Sequence, residues 1–285
     1  MPELPEVETV RRQLVPLLVG AVIEDVVLWE SDKESPKGEG FAPSLRGRMV
    51  IEVDRRGKLL LCRLDDGSAL LVHLKMTGKL LQRPSLPTEQ ERHKHDRLAF
   101  VLTRDAIRLF LLWNDVRRFG YLKHVTNPKE IERITAEYGR EPLTSTPEEL
   151  AEALPLHSSR SVKAVLLDQS CIAGVGNIYA DEACFMAGLH PARPLRSLSP
   201  NERLRLATMV KAVLEHSVAE QGTSAHTYVD VNGEKGSFLG KLQVYGRAGK
   251  PCVRCQQPIS KSVLAGRGTH VCLACQPLVK DDFVP

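Results

Sequence analysis

Residues 252–275 read CVRCQQPISKSVLAGRGTHVCLAC, with sixteen residues between two Cys-x-x-Cys pairs. Four thiolates at this spacing can close a tetrahedron around zinc, and so short a hairpin has too few apolar residues for a core of its own. The spacing therefore predicts one structural zinc ion, held by Cys252, Cys255, Cys272 and Cys275. Because such a site has no open coordination position, the metal is predicted to stabilise the fold rather than to activate water.

The hairpin between the cysteine pairs carries one arginine, Arg267, flanked by glycines at the predicted tip. A guanidinium on a small rigid module is suited to contact a phosphate. A solvated surface charge explains this feature equally well when it is taken alone.

The rest of the composition is that of a globular chain of about two domains. Of its 285 residues, 42% are hydrophobic and 26% are charged, and the net charge is +4. These values exclude fibrous and disordered proteins and permit a polyanionic partner without requiring one. No apolar run approaches the ~18 residues of a membrane span, and the first residues are acidic, so a cytoplasmic protein is expected. The other three cysteines, Cys62, Cys171 and Cys184, are predicted to be buried free thiols.

Two local patterns divide the chain. Residues 21–124 contain short strand-like runs, among them AVIEDVVLW, KLLLCRL and ALLVHLKM, separated by turn signals. This pattern predicts an antiparallel β-sandwich or barrel. From Thr146 onward the pattern is helical, since TPEE at 146–149 and SPNE at 199–202 are capping boxes with proline at the first helical position.

The chain begins MPELPEVETVRR. One explanation is structural, because proline belongs in a first helical turn and Glu3, Glu6 and Glu8 complement the helix dipole. The other is chemical. Removal of Met1 would make Pro2 a secondary amine with a pKa of ~8, partly neutral and nucleophilic at working pH. Attack on a sugar C1′ would give an iminium that promotes β-elimination of the 3′ phosphate, and Glu3 could protonate the ring oxygen.

A glycine-rich turn, GVGNIYADE at 174–182, precedes a predicted helix. Free N–H groups at a helix start suit a phosphate. The preceding residues Val162, Val165 and Leu166 have helical spacing, which argues against a dinucleotide-binding strand. Asn177 is predicted at the helix cap, and capping alone would explain it.

Three further segments border strands with a glycine and at least one cation: RRGK at 55–58, HLKMTG at 73–78 and NDVRRFG at 114–120. Loops on a rigid sheet suit contacts with a phosphate backbone. Alternatively, Met76 and Phe119 are core residues, and the charges form a solvated face.

Together these motifs resemble the bacterial formamidopyrimidine-DNA glycosylase family. The resemblance rests on PELPEVETVRR, RRGK, HLKMTG, KHDR, NDVRRFG, LLDQSCIAGVGNIYADE, TYV…NGEKGSF, VYGR and the four-cysteine hairpin with GRGTH, in that order. It implies an α+β multidomain protein: a catalytic antiparallel β-sandwich domain at 1–135, a helix-two-turn-helix DNA-binding domain with a lesion-capping loop at 136–240, and a zinc-finger hairpin at 241–285. DNA would lie in a cleft between the domains of a monomer located at the bacterial nucleoid.

The same resemblance implies roles for single residues. Pro2 would be the nucleophile and Glu3 the proton donor, with Glu6 supporting the site. Four residues would hold phosphates around the lesion: Lys58, His95, Asn177 and Arg267. Lys58 and Arg267 would also assist elimination. Three would fill the space left by a flipped nucleotide, with the arginine facing the orphaned cytosine: Met76, Arg117 and Phe119. Arg118 is included among the DNA contacts.

The implied reaction is excision of oxidised purines, 8-oxoguanine and formamidopyrimidines, from duplex DNA through a Pro2 Schiff base, followed by β,δ-elimination. The implied partner is double-stranded DNA with oxidised bases or abasic sites, with no nucleotide cofactor and no membrane. Three positions depart from the family pattern: Lys75 in place of glycine, Val116 in place of proline, and His226 at a variable position of the capping loop.

Two alternative functions stay open. An endonuclease VIII-like enzyme would prefer oxidised pyrimidines, but PELPE rather than PEGPE at the start and the long loop after Gly222 argue against it. A non-catalytic damaged-DNA-binding protein would result if Met1 were retained, since Pro2 would then be an amide.

Overall fold

The computed structural model describes residues 1–29, 40–224 and 227–278. His226, one of the three departures from the family pattern, lies outside these ranges. The chain divides into two compact units, the first formed by Met1–Ala136 with Glu220–Ser237 and the second by Glu137–Ala219 with Phe238–Pro285. Across the described ranges, no helix has both the length and the apolar composition needed to cross a bilayer.

The first unit is built around two antiparallel four-stranded sheets, which confirms the predicted β-sandwich. The first sheet has the order β1-β6-β7-β5 and consists of β1 (Val22–Leu28), β6 (Asp96–Arg104), β7 (Ile107–Asp115) and β5 (Gly78–Arg83). The second has the order β2-β3-β4-β8 and consists of β2 (Val50–Arg56), β3 (Leu59–Leu64), β4 (Ala69–His73) and β8 (Tyr121–Val125). Three helices complete the described part of the unit: α1 (Leu4–Leu18), α2 (Phe41–Leu45) and α3 (Pro128–Ala136).

A large hydrophobic core between the two sheets and α1 stabilises this unit. Alternate residues of both sheets point into it, as strands with one inward face must, and they include Val53, Leu60, Phe100 and Trp113. Helix α1 adds an apolar stripe at helical spacing, formed by Val7, Val10, Leu14 and Leu18. The helix that follows the predicted nucleophile Pro2 is therefore packed on the sandwich along its apolar face.

The second unit is helical and carries the cysteine hairpin. Its helices are α4 (Pro147–Glu152), α5 (Val162–Leu166), α6 (Asn177–Ala187) and α7 (Pro200–Ala219), with 3-10 turns at Leu195–Ser197 and Phe238–Lys241. Both predicted capping boxes are confirmed: Thr146 Oγ1 accepts from Glu149 N–H, and Ser199 Oγ accepts from Glu202 N–H. The hairpin consists of β9 (Ser260–Leu264) and β10 (Arg267–Val271).

The structure groups the polar segment Glu220–Ser237 with the sandwich, whereas the predicted division assigned residues 136–240 to one helical domain. The reason is hydrogen bonding that the local pattern does not reveal. Val231 N–H donates to Gln13 Oε1 at 3.0 Å, and Gln82 N–H donates to Val231 O at 2.9 Å. The segment thereby satisfies its polar backbone groups on α1 and β5.

The hairpin likewise shares a core with the helices instead of standing alone. Phe185 of α6 packs in one cluster with Val244, Ile259, Cys252 and Cys272. The predicted boundary between residues 136–240 and 241–285 therefore does not separate two independent cores.

Candidate active site

The N-terminal turn of the first unit buries its ionisable groups. Pro2 is buried, and Glu3 and Glu6 are 2% and 1% exposed. Glu6 Oε2 accepts a hydrogen bond from Glu3 N–H at 2.7 Å, and Glu6 Oε1 accepts one from Thr223 N–H at 2.6 Å. One carboxylate therefore fixes the backbone next to Pro2 and holds the start of the polar loop.

Gly222 is required at the place where this loop meets Glu6. Its φ is +87°, and a Cβ added there would lie 3.0 Å from both Glu6 Cγ and Glu6 Oε1. A side chain there would adopt a strained backbone conformation and would press against the Glu6 carboxylate.

Lys58 lies in the two-residue turn between β2 and β3 and is 6% exposed. Its neighbour Gly57 has φ +57°, at the position where a hairpin turn of this length favours glycine. His73, at the end of β4, is close by, because Leu59 of β3 is its strand partner. The structure thus brings together the RRGK and HLKMTG motifs.

His73 lies beside the predicted site residue Lys58, although the sequence assigned His73 no role of its own. Burial, assisted by the charges of Lys75 and Lys58, lowers the pKa of His73 to about 3. Its Nδ1 accepts a hydrogen bond from Lys75 N–H at 3.0 Å, so the neutral ring carries its proton on Nε2. His73 is therefore a neutral hydrogen-bond donor beside a buried lysine. The sequence feature that could have indicated this residue is its position at a strand end before a glycine turn.

Met76, Arg117 and Phe119 form one exposed cluster, although 41 residues separate the first two along the chain. Arg117 Nη1 lies 3.0 Å from Met76 Sδ, and the Arg117 guanidinium carbon lies 4.5 Å from the Phe119 ring centre. Met76 is 36% exposed and Phe119 is 53% exposed, so neither is a core residue. The guanidinium lies over the Phe119 ring and donates a hydrogen bond to the Met76 thioether, and these two contacts limit its orientations.

Asp115 organises the loops that carry this cluster. Its Oδ1 accepts from Thr77 Oγ1 and from Arg117 N–H, and its Oδ2 accepts from Gly120 N–H at 2.8 Å. Asp115 is 1% exposed, so the two loops share one buried carboxylate. The sequence did not single out this residue, because nothing local shows that both loops converge on it.

Two departures from the family pattern lie in the same loops. Lys75 has φ +48°, the left-handed conformation that favours glycine, and its ammonium lies 5.7 Å from the centre of the Tyr121 ring. Nothing in the structure explains Val116, which is exposed.

His95 and Arg118 lie beside these loops. The carbonyl of His95 accepts from Asp115 N–H at 3.0 Å, which ties the KHDR segment to the base of the cluster. Partial desolvation, with a contribution from nearby cations including Arg118, lowers the pKa of His95. Arg118 is exposed and has φ +58°.

In the second unit, the structure brings Asn177 to Arg267. The predicted cap position of α6 is occupied by Gly176, and Asn177 is the first helical residue. Because Asn177 is not the cap residue, its side chain makes a different contact: its Nδ2 donates to Gly268 O at 3.0 Å. The buried Asn177 Oδ1 has no hydrogen-bond partner among the residues that the structure describes. Arg267 is the exposed first residue of β10, next to the strand position that Asn177 holds.

The sequence overlooked the buried lysine that anchors this strand. Lys163 is 0% exposed, and its ammonium donates to Asp181 Oδ1 at 2.6 Å and to both Gly268 O and Thr269 Oγ1 at 2.9 Å. The sequence feature that could have indicated this contact is a lysine on the apolar face of α5, since a buried ammonium needs an ionic partner.

The four hairpin cysteines converge as predicted. Their Sγ atoms lie within 4.8 Å of one another, with 3.4 Å between Cys255 and Cys272 and 3.9 Å between Cys252 and Cys275. A zinc tetrathiolate with bonds of ~2.3 Å has S···S edges of ~3.8 Å, so the thiols match this metal. They form the site of one structural zinc ion.

The remaining three cysteines differ in burial. Cys62 and Cys184 are buried free thiols, as predicted, and burial raises the pKa of both, that of Cys62 to about 12. Cys171 is half-buried, so the prediction of a buried thiol is wrong there.

Three family models match successive parts of the chain. They are the formamidopyrimidine-DNA glycosylase N-terminal domain at residues 1–122, the formamidopyrimidine-DNA glycosylase H2TH domain at residues 138–229, and a zinc finger found in FPG and IleRS at residues 249–278.

Similar proteins cover nearly the whole chain. The formamidopyrimidine-DNA glycosylase of Geobacillus kaustophilus is 45% identical over 283 residues, covering 97% of this chain and 100% of the relative. The crystal structure of MutM (Fpg) from Thermus thermophilus has a TM-score of 0.83 at 41% identity, covering 96% of this chain and 98% of that one. Lactococcus lactis Fpg in complex with abasic-site DNA has a TM-score of 0.86 at 32% identity, covering 97% and 100%.

The sandwich, the helical unit and the cysteine hairpin thus define a zinc-finger DNA repair glycosylase. The chain belongs to the formamidopyrimidine-DNA glycosylase family.

Proposed function

We propose that this enzyme excises oxidised purines, including 8-oxoguanine and formamidopyrimidines, from duplex DNA and then cleaves the strand as an abasic-site lyase. The observation that carries the proposal is the buried Pro2–Glu3 turn held by Glu6. Relatives support the substrate, since a mutant of Lactococcus lactis Fpg has been solved with DNA containing Fapy-dG, and Lactococcus lactis Fpg with abasic-site DNA. A location at the bacterial nucleoid stays a prediction.

The proposed nucleophile is the nitrogen of Pro2 after Met1 has been removed. Its lone pair attacks C1′ and the bond from C1′ to the damaged base breaks, with the base taking up the proton that the amine loses; Glu3 protonates the ring oxygen so that the sugar opens. A secondary amine forms an iminium that keeps its positive charge, because the nitrogen has no proton to lose. The iminium draws the electrons of the C2′–H bond, and loss of that proton expels the 3′ phosphate. A second elimination releases the 5′ phosphate.

The cations and amides of the site are assigned to the phosphates. In the first unit, Lys58 and His95 would contact the backbone around the lesion, and the neutral His73 beside Lys58 is suited to donate a further hydrogen bond. In the second unit, Asn177 and Arg267 would do the same. Lys58 and Arg267 would also stabilise the departing phosphates during elimination.

The cluster of Met76, Arg117 and Phe119 is assigned to the vacancy left by the flipped nucleotide. Flipping a nucleotide costs a few kcal/mol, and apolar side chains with one planar cation replace part of the lost stacking and pairing. The stacked Arg117 is already oriented by its neighbours, so little conformational freedom is lost on insertion. Arg118 would contact the backbone beside it.

The zinc site and the Lys163 contacts would serve Arg267. Bound zinc supplies folding free energy to the hairpin and no open position for chemistry. The hairpin strand then presents Arg267 at a fixed distance from Asn177, through the hydrogen bond to Gly268.

The test is borohydride trapping. The enzyme is incubated with an 8-oxoguanine duplex, reduced, digested and analysed by mass spectrometry, and the sugar adduct is expected on the peptide that begins with Pro2. Pro2→Gly should lower the yield of trapped enzyme, whereas Pro5→Ala removes a proline from the same turn without altering the terminal nitrogen. An adduct elsewhere, or a Pro2→Gly variant as active as the parent, would contradict the proposal.

A lesion panel tests the substrate. It should include an oxidised pyrimidine, since Lactococcus lactis Fpg has also been solved with DNA containing one. Preference for that lesion would favour the endonuclease VIII-like alternative. Binding without base release, together with a retained Met1, would favour the non-catalytic alternative.

A further inference from the structure

A buried arginine connects the helix of the proposed nucleophile to the turn of the proposed lysine. Arg55, near the end of β2, is 8% exposed. Its Nε donates to Glu8 Oε2 of α1 at 3.0 Å, and its Nη1 donates to Gly57 O at 2.7 Å. One planar guanidinium therefore contacts both elements at once.

The carbonyl that Arg55 holds belongs to the peptide bond of Lys58. Because a peptide unit is planar, fixing Gly57 O also fixes the direction in which the chain enters the Lys58 Cα. The turn has only two residues between strand partners Arg56 and Leu59. Gly57, at φ +57°, is its most permissive position, and the contact with Arg55 restricts it.

The other end of the connection is equally constrained. Glu8 is 4% exposed, and its two carboxylate oxygens also accept from Arg11 and Arg12 at 2.8–2.9 Å. Although burial opposes ionisation, these hydrogen bonds and the charge of Arg55 lower the pKa of Glu8 to about 2. Glu8 is thus ionised throughout the neutral range, on the helix that begins two residues after Pro2.

We propose that Glu8 and Arg55 are positioning residues that set the location of Lys58 relative to the Pro2 end of α1. Neither contacts the reacting atoms; both act through the Gly57–Lys58 peptide. The inference rests on the proposed function, in which Pro2 and Lys58 act in the same reaction. Arg55 is buried and its guanidinium donates hydrogen bonds to Glu8 and Gly57. Its role therefore differs from that of a surface cation that binds the DNA backbone.

Arg55→Lys tests the proposal, because it keeps the charge but cannot span Glu8 and Gly57 with one planar fork. The matched control is Arg12→Lys, which also alters a Glu8 contact but has a side chain that is 57% exposed. Single-turnover strand scission is measured on a preformed abasic-site duplex at saturating enzyme, together with the Kd for that DNA. Thermal unfolding defines a temperature at which every variant is folded.

We expect scission by Arg55→Lys to slow by about 10- to 100-fold, the effect of displacing a reacting group by about 1 Å. The Kd should change less than about twofold, and Arg12→Lys should match the parent. Glu8→Gln preserves the shape of the side chain and removes its charge. It should likewise slow scission while leaving the Kd for the DNA nearly unchanged. Its effect should not add to that of Arg55→Lys, because both variants break one connection.

Equal scission by Arg55→Lys and Arg12→Lys would overturn the inference, as would a loss confined to the Kd. If Arg55→Lys does not fold, Glu8→Gln decides by the same criteria. A parent enzyme that gives neither scission nor a borohydride adduct would overturn the proposed function itself. An active parent with unaffected variants would overturn only the positioning role.

Discussion

Substitution of Gly222 by alanine tests whether the contact between the loop and Glu6 holds the N-terminal turn in place. Gly222 has φ +87°, and an added Cβ would lie 3.0 Å from Glu6 Cγ and Oε1. Glu6 would have to move by a few tenths of an ångström. That movement would weaken its hydrogen bonds to Thr223 N–H at 2.6 Å and Glu3 N–H at 2.7 Å.

The magnitude follows from two contributions. A left-handed backbone costs an alanine about 1–2 kcal/mol. Hydrogen bonds to a charged group contribute about 1.5–3 kcal/mol each, so partial loss of two should remove a further ~1–3 kcal/mol. Gly20→Ala is the control, since Gly20 has φ +84° and an added Cβ there would meet no atom of the described part of the chain within 4 Å. Both variants share the backbone strain, and only one disturbs Glu6.

The assays are thermal unfolding and borohydride trapping on abasic-site DNA. For a unit of this size, each kcal/mol lowers Tm by about 2–4 °C, so Gly222→Ala should unfold several degrees below Gly20→Ala. Only Gly222→Ala should lose trapping, because Glu3 and Pro2 would shift with Glu6. Equal Tm values and equal trapping for the two variants would refute the reasoning.

Three further predictions concern the metal, the exposed cluster and pH. Chelation of zinc, or Cys255→Ser, should disorder the hairpin and weaken DNA binding, as measured by zinc release and a fluorescence-anisotropy titration. Phe119→Ala should weaken binding of lesion DNA by about 1–3 kcal/mol without lowering Tm, because the ring is 53% exposed; an unchanged Kd would contradict this. Since the pKa of His73 is lowered from 6.5 to about 3, its neutral form stabilises the fold above pH 6.5, and that stability is lost as pH falls from 6.5 towards 3. His73→Asn should make Tm less dependent on pH in this range. A Tm–pH profile parallel to that of the parent would show that His73 does not cause the dependence.

Features that depend on near neighbours in the chain were predictable from the sequence. The capping boxes at Thr146 and Ser199 each involve residues three apart, and the alternation within each strand has a period of two. The zinc ligands could be predicted for a related reason, because the short spacing within each Cys-x-x-Cys pair already holds two thiolates close enough to bind one metal ion. Sandwich, helices and metal site therefore followed from local pattern.

Contacts between distant residues were decided only by the tertiary structure. Glu6 and Thr223 are 217 residues apart, and Met76 and Arg117 are 41 apart. The resemblance placed Met76, Arg117 and Phe119 in one role, but only the fold shows the guanidinium over the Phe119 ring with a hydrogen bond to Met76. Asn177, predicted as a helix cap, instead holds a strand 91 residues away.

The physical reason is the range over which each interaction acts. Backbone periodicity, capping and chelation by closely spaced cysteines involve groups whose separation the covalent chain already limits. A buried polar atom, by contrast, takes its partner from whichever element packs against it, and the requirement that it be satisfied does not specify which one. Sequence alone therefore determined the elements and the metal of this glycosylase, whereas packing decided which carboxylate, amide or guanidinium holds each reactive side chain.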